Sequence, residues 1–252
     1  MPGRLSVVGL GPGSAELLAP MASSRLASAQ AVVGYDRYMS LVDPGLLLGK
    51  TLFSSPMKQE MQRTAKAVEF ALAGLDTVVV SSGDSGVYGM AGLVLEHLER
   101  ENLLDAIEFD VVPGIPALCA AAALLGAPLM HDFASISLSD LLTPLPTIMK
   151  RVRCAVEGDF VIVLYNPKSR KRDSYLGQAL AMAAEHRGPD TPIGFVRNAY
   201  RPDQNVRVAT LGSCDPDWAD MLTIVVVGNS ASRLTGNKIL TPRGYYEKYG
   251  QS

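Results

Sequence analysis

Two hydrophobic rhythms alternate along this chain. Short runs rich in β-branched residues give way to longer stretches whose apolar residues recur every three or four positions. RLSVVGL (4–10) precedes a helical pattern over residues 15–28, and AVVGY (31–35) precedes a polar loop. A helix is predicted over 59–73, a strand in DTVVVSSG (76–83), a helix over 91–101 after a Gly-rich turn, and a strand in FDVVPG (109–114). Such alternation predicts an α/β unit with a largely parallel sheet.

The rhythm resumes with ASISLSD (134–140), DFVIVLYNP (159–167), a helix over 175–185, then PIGFVRNA (192–199), VRVATLG (206–212) and TIVVVGN (223–229). Strands outnumber helices here, which predicts a mixed sheet. Between the halves, PGIPALCAAAALLGAP reads as an Ala-rich helix with Pro116 near its start and Gly126 near its end. The expected organisation is two α/β domains, 1–116 and 117–252, with a ligand cleft between them.

Composition narrows the classes. Of the 252 residues 48% are apolar and 19% charged, enough for a sizeable core. The longest apolar stretch, residues 117–130, is too short to span a bilayer. The opening residues do not read as a secretory leader. Cys119, Cys154 and Cys214 have neither CxxC spacing nor a neighbouring histidine, so we expect ordinary buried thiols, no metal and a cytoplasmic protein. A net charge of −2 argues against a nucleic-acid binder. Residues 1–126 nevertheless carry −5 and residues 127–252 carry +3, much of it in NPKSRKR (166–172). That loop is either solvated surface or a site for a polyanionic small molecule.

Gly-rich turns carry the candidate chemistry. GLGPGS (9–14) begins like a dinucleotide-binding turn, but Ser14 stands where a third glycine belongs and Pro12 removes a backbone donor. GLLLGKT (45–51) is one residue short of a phosphate-binding loop. VVVSSGDSGVYGMAG (78–92) is more informative: a strand runs into Gly83-Asp84-Ser85-Gly86, placing Asp84 at a strand's carboxyl end. VVPGIPA (111–117) ends another strand in the same manner, so the two loops are expected to converge.

GLGPGS, SSGDSGVYGMA, VVPGIPA and VVVGN, in this order and spacing, resemble the tetrapyrrole methylases, which use S-adenosylmethionine and release S-adenosylhomocysteine. HDFASISLSDLLTP (131–144) and VLYNPKSRKR (163–172) are similar to the subfamily that methylates carbon 17 of precorrin-3B, or of cobalt-factor III, with ring contraction in cobalamin synthesis. The likeness spans nearly the whole chain. It implies homodimers and a folded cofactor between two domains. It assigns the cofactor to Leu10, Pro12, Gly83, Asp84, Val87, Tyr88, Pro116 and Ala117 in the first domain. In the second it assigns Tyr165, Asn166, Asn198, Ala199 and Thr223.

The implied substrate is a macrocycle bearing many carboxylates. Lys168, Arg170, Arg172, Arg197 and Arg201 are the candidates to pair with them, arginine because its fork meets a carboxylate bidentately. Ser137, Ser139 and Asp140 are candidate hydrogen-bonding partners. Methyl transfer from a sulfonium needs alignment and no nucleophilic side chain. Ring contraction would profit from proton transfer, for which His131 and Asp132 are the candidates. The family commonly has Pro where Ser85 stands, and Trp and an acidic residue near Leu145 and Met149. The rival readings are a sister methylase with another substrate or carbon, a dinucleotide-dependent reductase and a non-catalytic corrinoid carrier.

Overall fold

Residues 1–169 and 172–250 are described by the computed structural model. They fall into two units, one comprising residues 1–117 and the other the chain from residue 118 onward.

In the first unit the chain runs β1 (Leu5–Gly9), α1 (Pro20–Ser28), β2 (Ala31–Tyr35), α2 (Asp36–Met39), β3 (Thr51–Ser55), α3 (Glu60–Leu72), β4 (Thr77–Ser81), α4 (Ala91–Arg100) and β5 (Phe109–Val112). The five strands form one sheet in the order β3-β2-β4-β1-β5, every neighbour parallel. β1 and β4 are buried along their whole length, as continuous Val-rich runs in a parallel sheet must be. Val7, Val33 and Val79 pack with α3 and α4, whereas Val8, Val32 and Val80 pack with Ala22 and Leu26 of α1. Helices therefore cover both faces.

Two local expectations change here. The helix expected over 15–28 is split into a 3-10 turn at Ala15–Leu17 and α1, which starts at Pro20. Proline fits a helix's first turn but holds the preceding residue extended, and Ala19 has ψ 140°. The polar loop after β2 contains α2 and the strand β3. β3 is an exposed edge strand, so it lacks the apolar run that marks a central one.

α5 (Ala117–Leu125) leads into the second unit: β6 (Gly126–Ala127), β7 (Phe133–Ser137), α6 (Leu145–Glu157), β8 (Val161–Tyr165), α7 (Tyr175–His186), β9 (Pro192–Arg197), β10 (Asn205–Thr210), β11 (Thr223–Val227), β12 (Arg233–Thr235), β13 (Lys238–Leu240) and α8 (Tyr245–Tyr249). The main sheet has the order β10-β9-β11-β8-β7 and is mixed: β7 and β8 are parallel and the other pairs antiparallel. α6 and α7 pack on one face through Ile148, Val152, Leu176 and Leu180 against Ile162, Leu164, Phe195 and Val225. On β9, a Cβ at Gly194 would meet the Leu125 side chain at 2.4 Å, so α5 rests directly on the strand. α6 was not read from the sequence, although Ile148, Val152, Ala155 and Val156 have helical spacing and are all buried. Pro144 and Pro146 masked it, yet they occupy the helix start, where proline is tolerated.

The thiols need a correction: Cys119 and Cys154 are exposed and Cys214 is half-buried. Burial holds the Cys214 thiol above its ordinary pKa. Among the described residues no helix is long and apolar enough to cross a membrane, and no cluster of His, Cys, Asp or Glu could hold a metal ion.

Candidate functional site

Three loops meet at the carboxyl ends of β1, β4 and β5. Gly11 and Gly83 exchange both backbone hydrogen bonds, Gly11 N donating to Gly83 O at 3.0 Å and Gly83 N to Gly11 O at 2.7 Å. Leu10 N donates to Ser81 O at 2.8 Å. Gly9, Gly83 and Gly114 lie backbone to backbone: a Cβ at Gly9 would stand 2.7 Å from both Gly114 N and Gly83 O. Gly11 and Gly83 both take φ +68°, a left-handed conformation that costs glycine nothing.

Asp84 fastens this cluster. Its Oδ1 accepts from Gly86 N at 2.8 Å and its Oδ2 from Gly114 N at 3.0 Å, which ties the β4 loop to the β5 loop. The carboxylate is thus an internal clamp. Ser85 is fully buried, and its Oγ donates to Val7 O at 3.3 Å. Leu10 and Pro12 are buried, Val87 is half-buried, and Tyr88 is exposed with φ +55°. Pro116 and Ala117 lie beside Gly83, whose Cβ would stand 3.5 Å from Ala117 N.

These bonds also weigh on the dinucleotide reading. A pyrophosphate clamp needs free amides at a helix N-terminus directly after the turn. Here the Leu10 and Gly11 amides are consumed within the loops, and α1 starts only at Pro20.

In the second unit the polar residues gather at one edge of the mixed sheet. Ser137 ends β7 and Tyr165 ends β8, the two being register partners. Asn198 follows β9, and antiparallel pairing brings Thr223, the first residue of β11, opposite Arg197. Tyr165 Oη accepts from Leu118 N at 2.9 Å, and Asn166 Nδ2 donates to Ser137 Oγ at 2.9 Å. Ser137 Oγ also accepts from Ser139 N at 3.2 Å. Asn198 Nδ2 donates to Asp203 Oδ2 at 2.6 Å; Ala199 beside it is half-buried. Asn166, Asn198 and Tyr200 all have left-handed backbones, with φ +50°, +49° and +58°. Non-glycine residues in that region cluster at functional sites, and Tyr200 and Asp203 were not singled out from the sequence.

The basic residues turn out to be engaged with the protein. Lys168 pairs with Asp217 at 2.5 Å. Arg172 pairs with Asp140 at 3.3 Å and donates to Leu138 O at 2.7 Å and Asn166 O at 3.3 Å. Tyr175 donates to the other Asp140 oxygen at 2.8 Å, which holds its hydroxyl above the ordinary phenol pKa. Arg197 faces Asp220 at 3.1 Å and stands 4.3 Å from the Trp218 ring centroid. Arg201 is half-buried on the loop after β9, and Arg170 lies outside the described residues.

His131 and Asp132 are not brought to this edge. They precede β7, at the opposite end of the strand from Ser137, about 17 Å away for five residues of strand. Both are exposed, and His131 Nδ1 accepts from Asp132 N at 2.9 Å. The two candidates for proton transfer are joined to each other by this local turn contact.

The sequence profile of the family described as Tetrapyrrole (Corrin/Porphyrin) Methylases matches residues 4–215. A protein of Salmonella typhimurium named as a probable cobalt-factor III C(17)-methyltransferase is 45% identical over 96% of this chain and 99% of its own. A precorrin-3B C(17)-methyltransferase of a Sinorhizobium species is 38% identical over 97% of this chain and 98% of its own. The crystal structure of the methyltransferase CobJ superposes with a TM-score of 0.90 at 41% identity, covering 95% of this chain and all of that one.

Proposed function

This chain belongs to the tetrapyrrole methylases, and from that premise we propose how its residues share the work. The reaction is transfer of a methyl group from S-adenosylmethionine to carbon 17 of the precorrin-3B or cobalt-factor III macrocycle in cobalamin biosynthesis. Near-full-length identity of 45% to the Salmonella protein carries this reading. Because that relative is named for the cobalt form, we assign the cobalt-containing macrocycle as substrate.

The donor set suits the cofactor. Adenine, ribose and an amino-acid tail call for amides, hydroxyls and backbone groups, and Asn166, Asn198, Thr223 and the Gly83–Tyr88 loop offer these. S-adenosylmethionine supplies an electrophilic methyl on a sulfonium. Leu10, Pro12, Gly83, Val87, Tyr88, Pro116 and Ala117 wall it in, while Asp84 keeps their loops in place. Tyr165, Asn166, Asn198, Ala199 and Thr223 orient it. No side chain need attack, because alignment supplies much of the rate.

Internal pairing gives the basic residues a part besides the one first expected. Lys168, Arg172 and Arg197 hold loops in the free protein, and Lys168, Arg170, Arg172, Arg197 and Arg201 are proposed to turn to the macrocycle's carboxylates when it binds. Ser137, Ser139 and Asp140 sit within the same hydrogen-bonded edge. We place ring contraction with the same enzyme and take no proton through His131 or Asp132. The protein is proposed to act as a cytoplasmic homodimer.

A turnover assay read by mass spectrometry tests the reading. Purified protein and S-adenosylmethionine are incubated with the cobalt macrocycle and, in parallel, with the metal-free one. The expected result is gain of one methyl group at carbon 17 on the cobalt substrate. Gain only on the metal-free substrate reverses the substrate assignment, and gain on neither overturns the function.

A further inference from the structure

The loop joining β10 to β11, residues 211–222, contains none of the expected ligand-binding residues, yet it grips four of them: Lys168, Arg197, Asn198 and Thr223. Asp220 is its hub. Oδ1 accepts from Thr223 Oγ1 and from Leu222 N, each at 2.8 Å, and Oδ2 faces Arg197 Nε at 3.1 Å. Asp220 N returns a bond to Thr223 Oγ1 at 3.1 Å, so that hydroxyl is fixed as donor and acceptor at once. Thr223 is 1% exposed, so solvent does not orient it. Leu222 O accepts from Asn198 N at 3.3 Å, which couples the same turn to left-handed Asn198.

Arg197 completes the circuit. It donates to Trp218 O and lies over the Trp218 ring, and the Arg207 guanidinium stands 4.9 Å from the same ring centroid. Two cations on one ring repel, and the Asp220 carboxylate offsets the charge of the nearer one. Without that carboxylate Arg197 has reason to swing away, and Asn198 is its neighbour in the chain.

We infer that Asp220 is a positioning residue for cofactor capture, setting Thr223 directly and Asn198 through Leu222 and Arg197. Trp218, the only tryptophan in the chain, lies against Arg197 and so offers an emission probe of that arrangement. The inference rests on the reading that Asn198, Ala199 and Thr223 hold S-adenosylmethionine.

The test uses the full-length protein, Asp220→Asn, Arg197→Lys and Thr223→Val. S-adenosylhomocysteine is titrated by calorimetry and by Trp218 emission, and KM is measured for S-adenosylmethionine and for the macrocycle. In Asp220→Asn the expected result is a Kd for S-adenosylhomocysteine raised at least tenfold. KM for S-adenosylmethionine should rise in parallel while KM for the macrocycle stays within twofold. Arg197→Lys should move the same way, and wild-type Trp218 emission should change on titration. Binding within twofold of wild type, or both KM values rising together, overturns the inference. If Asp220→Asn does not fold, Arg197→Lys is judged by the same criteria. A Thr223→Val protein that binds like wild type overturns the reading of the pocket itself.

Discussion

A methyl group placed on Gly114 would stand 2.2 Å from the Gly83 carbonyl oxygen, and one on Gly9 would meet the same oxygen at 2.7 Å. Neither obstacle is a flexible side chain, so the backbone of three loops would have to move. Gly114→Ala is expected to cost about 1–3 kcal/mol of stability, the range for overpacking a tight site. Because the same loops are proposed to wall the cofactor, the variant's Kd for S-adenosylhomocysteine should rise about tenfold, which calorimetry and a melting curve measure together. An unchanged Kd would detach this glycine contact from ligand binding. Elsewhere the single residues most marked by the site are Tyr88, Asn166, Asn198 and Tyr200, all held left-handed without being glycine. Gln204 Oε1 accepts from Tyr200 N at 2.8 Å and Asp203 takes the Asn198 amide, so neighbouring side chains hold the unfavourable backbone in place.

At the scale of elements, the second unit depends on clamps between strand ends. Arg187 follows α7 and is almost wholly buried; it donates to Gly228 O after β11 and to Phe160 O, 2.7 Å away, before β8. Burial lowers its pKa, with Asp159 at 4.0 Å opposing that shift. Arg187→Met keeps the bulk but leaves two carbonyls short of a donor. We expect a loss of about 2–3 kcal/mol, read as a lower urea midpoint with unchanged slope. Affinity for S-adenosylhomocysteine should stay within twofold, since the clamp lies at the sheet edge opposite Asn166 and Thr223. A midpoint equal to that of wild type would mean that water replaces the guanidinium at little cost.

For the whole molecule, ligand binding and folding are linked. A ligand present at a hundred times its Kd stabilises the folded state by about 2.7 kcal/mol. For a chain of this size that corresponds to a rise in Tm of about 5–10 °C. S-adenosylhomocysteine should produce it, and NAD and NADP at the same multiple of the cofactor's working concentration should not. A rise with a dinucleotide alone would restore the reductase reading. The family assignment rests on the same scale: the ordered set of loop motifs spans the chain, whereas each Gly-rich turn alone is common.

Periodicity and turn chemistry in the sequence were enough to determine the parallel first sheet and the mixed second one, and the resemblance carried by the ordered loop motifs pointed to the family. A buried strand needs Val-rich runs, and a tight turn needs glycine, wherever the rest of the chain goes. β3 and α6 escaped that reading, one because an edge strand buries little and the other because prolines flank its start. The resemblance assigned Gly83, Asp84, Asn166, Asn198 and Thr223 as a set, but only tertiary structure showed what each one bonds to. Asp84 spends both carboxylate oxygens on backbone amides, one of them thirty residues away. Lys168, Arg172 and Arg197 find acids or carbonyls that no local spacing brings near. His131 and Asp132 fall at the far end of a strand from Ser137. Charge and residue type are local properties of a sequence, whereas the partner that neutralises a charge, and the strand end on which it sits, are set by the folded chain.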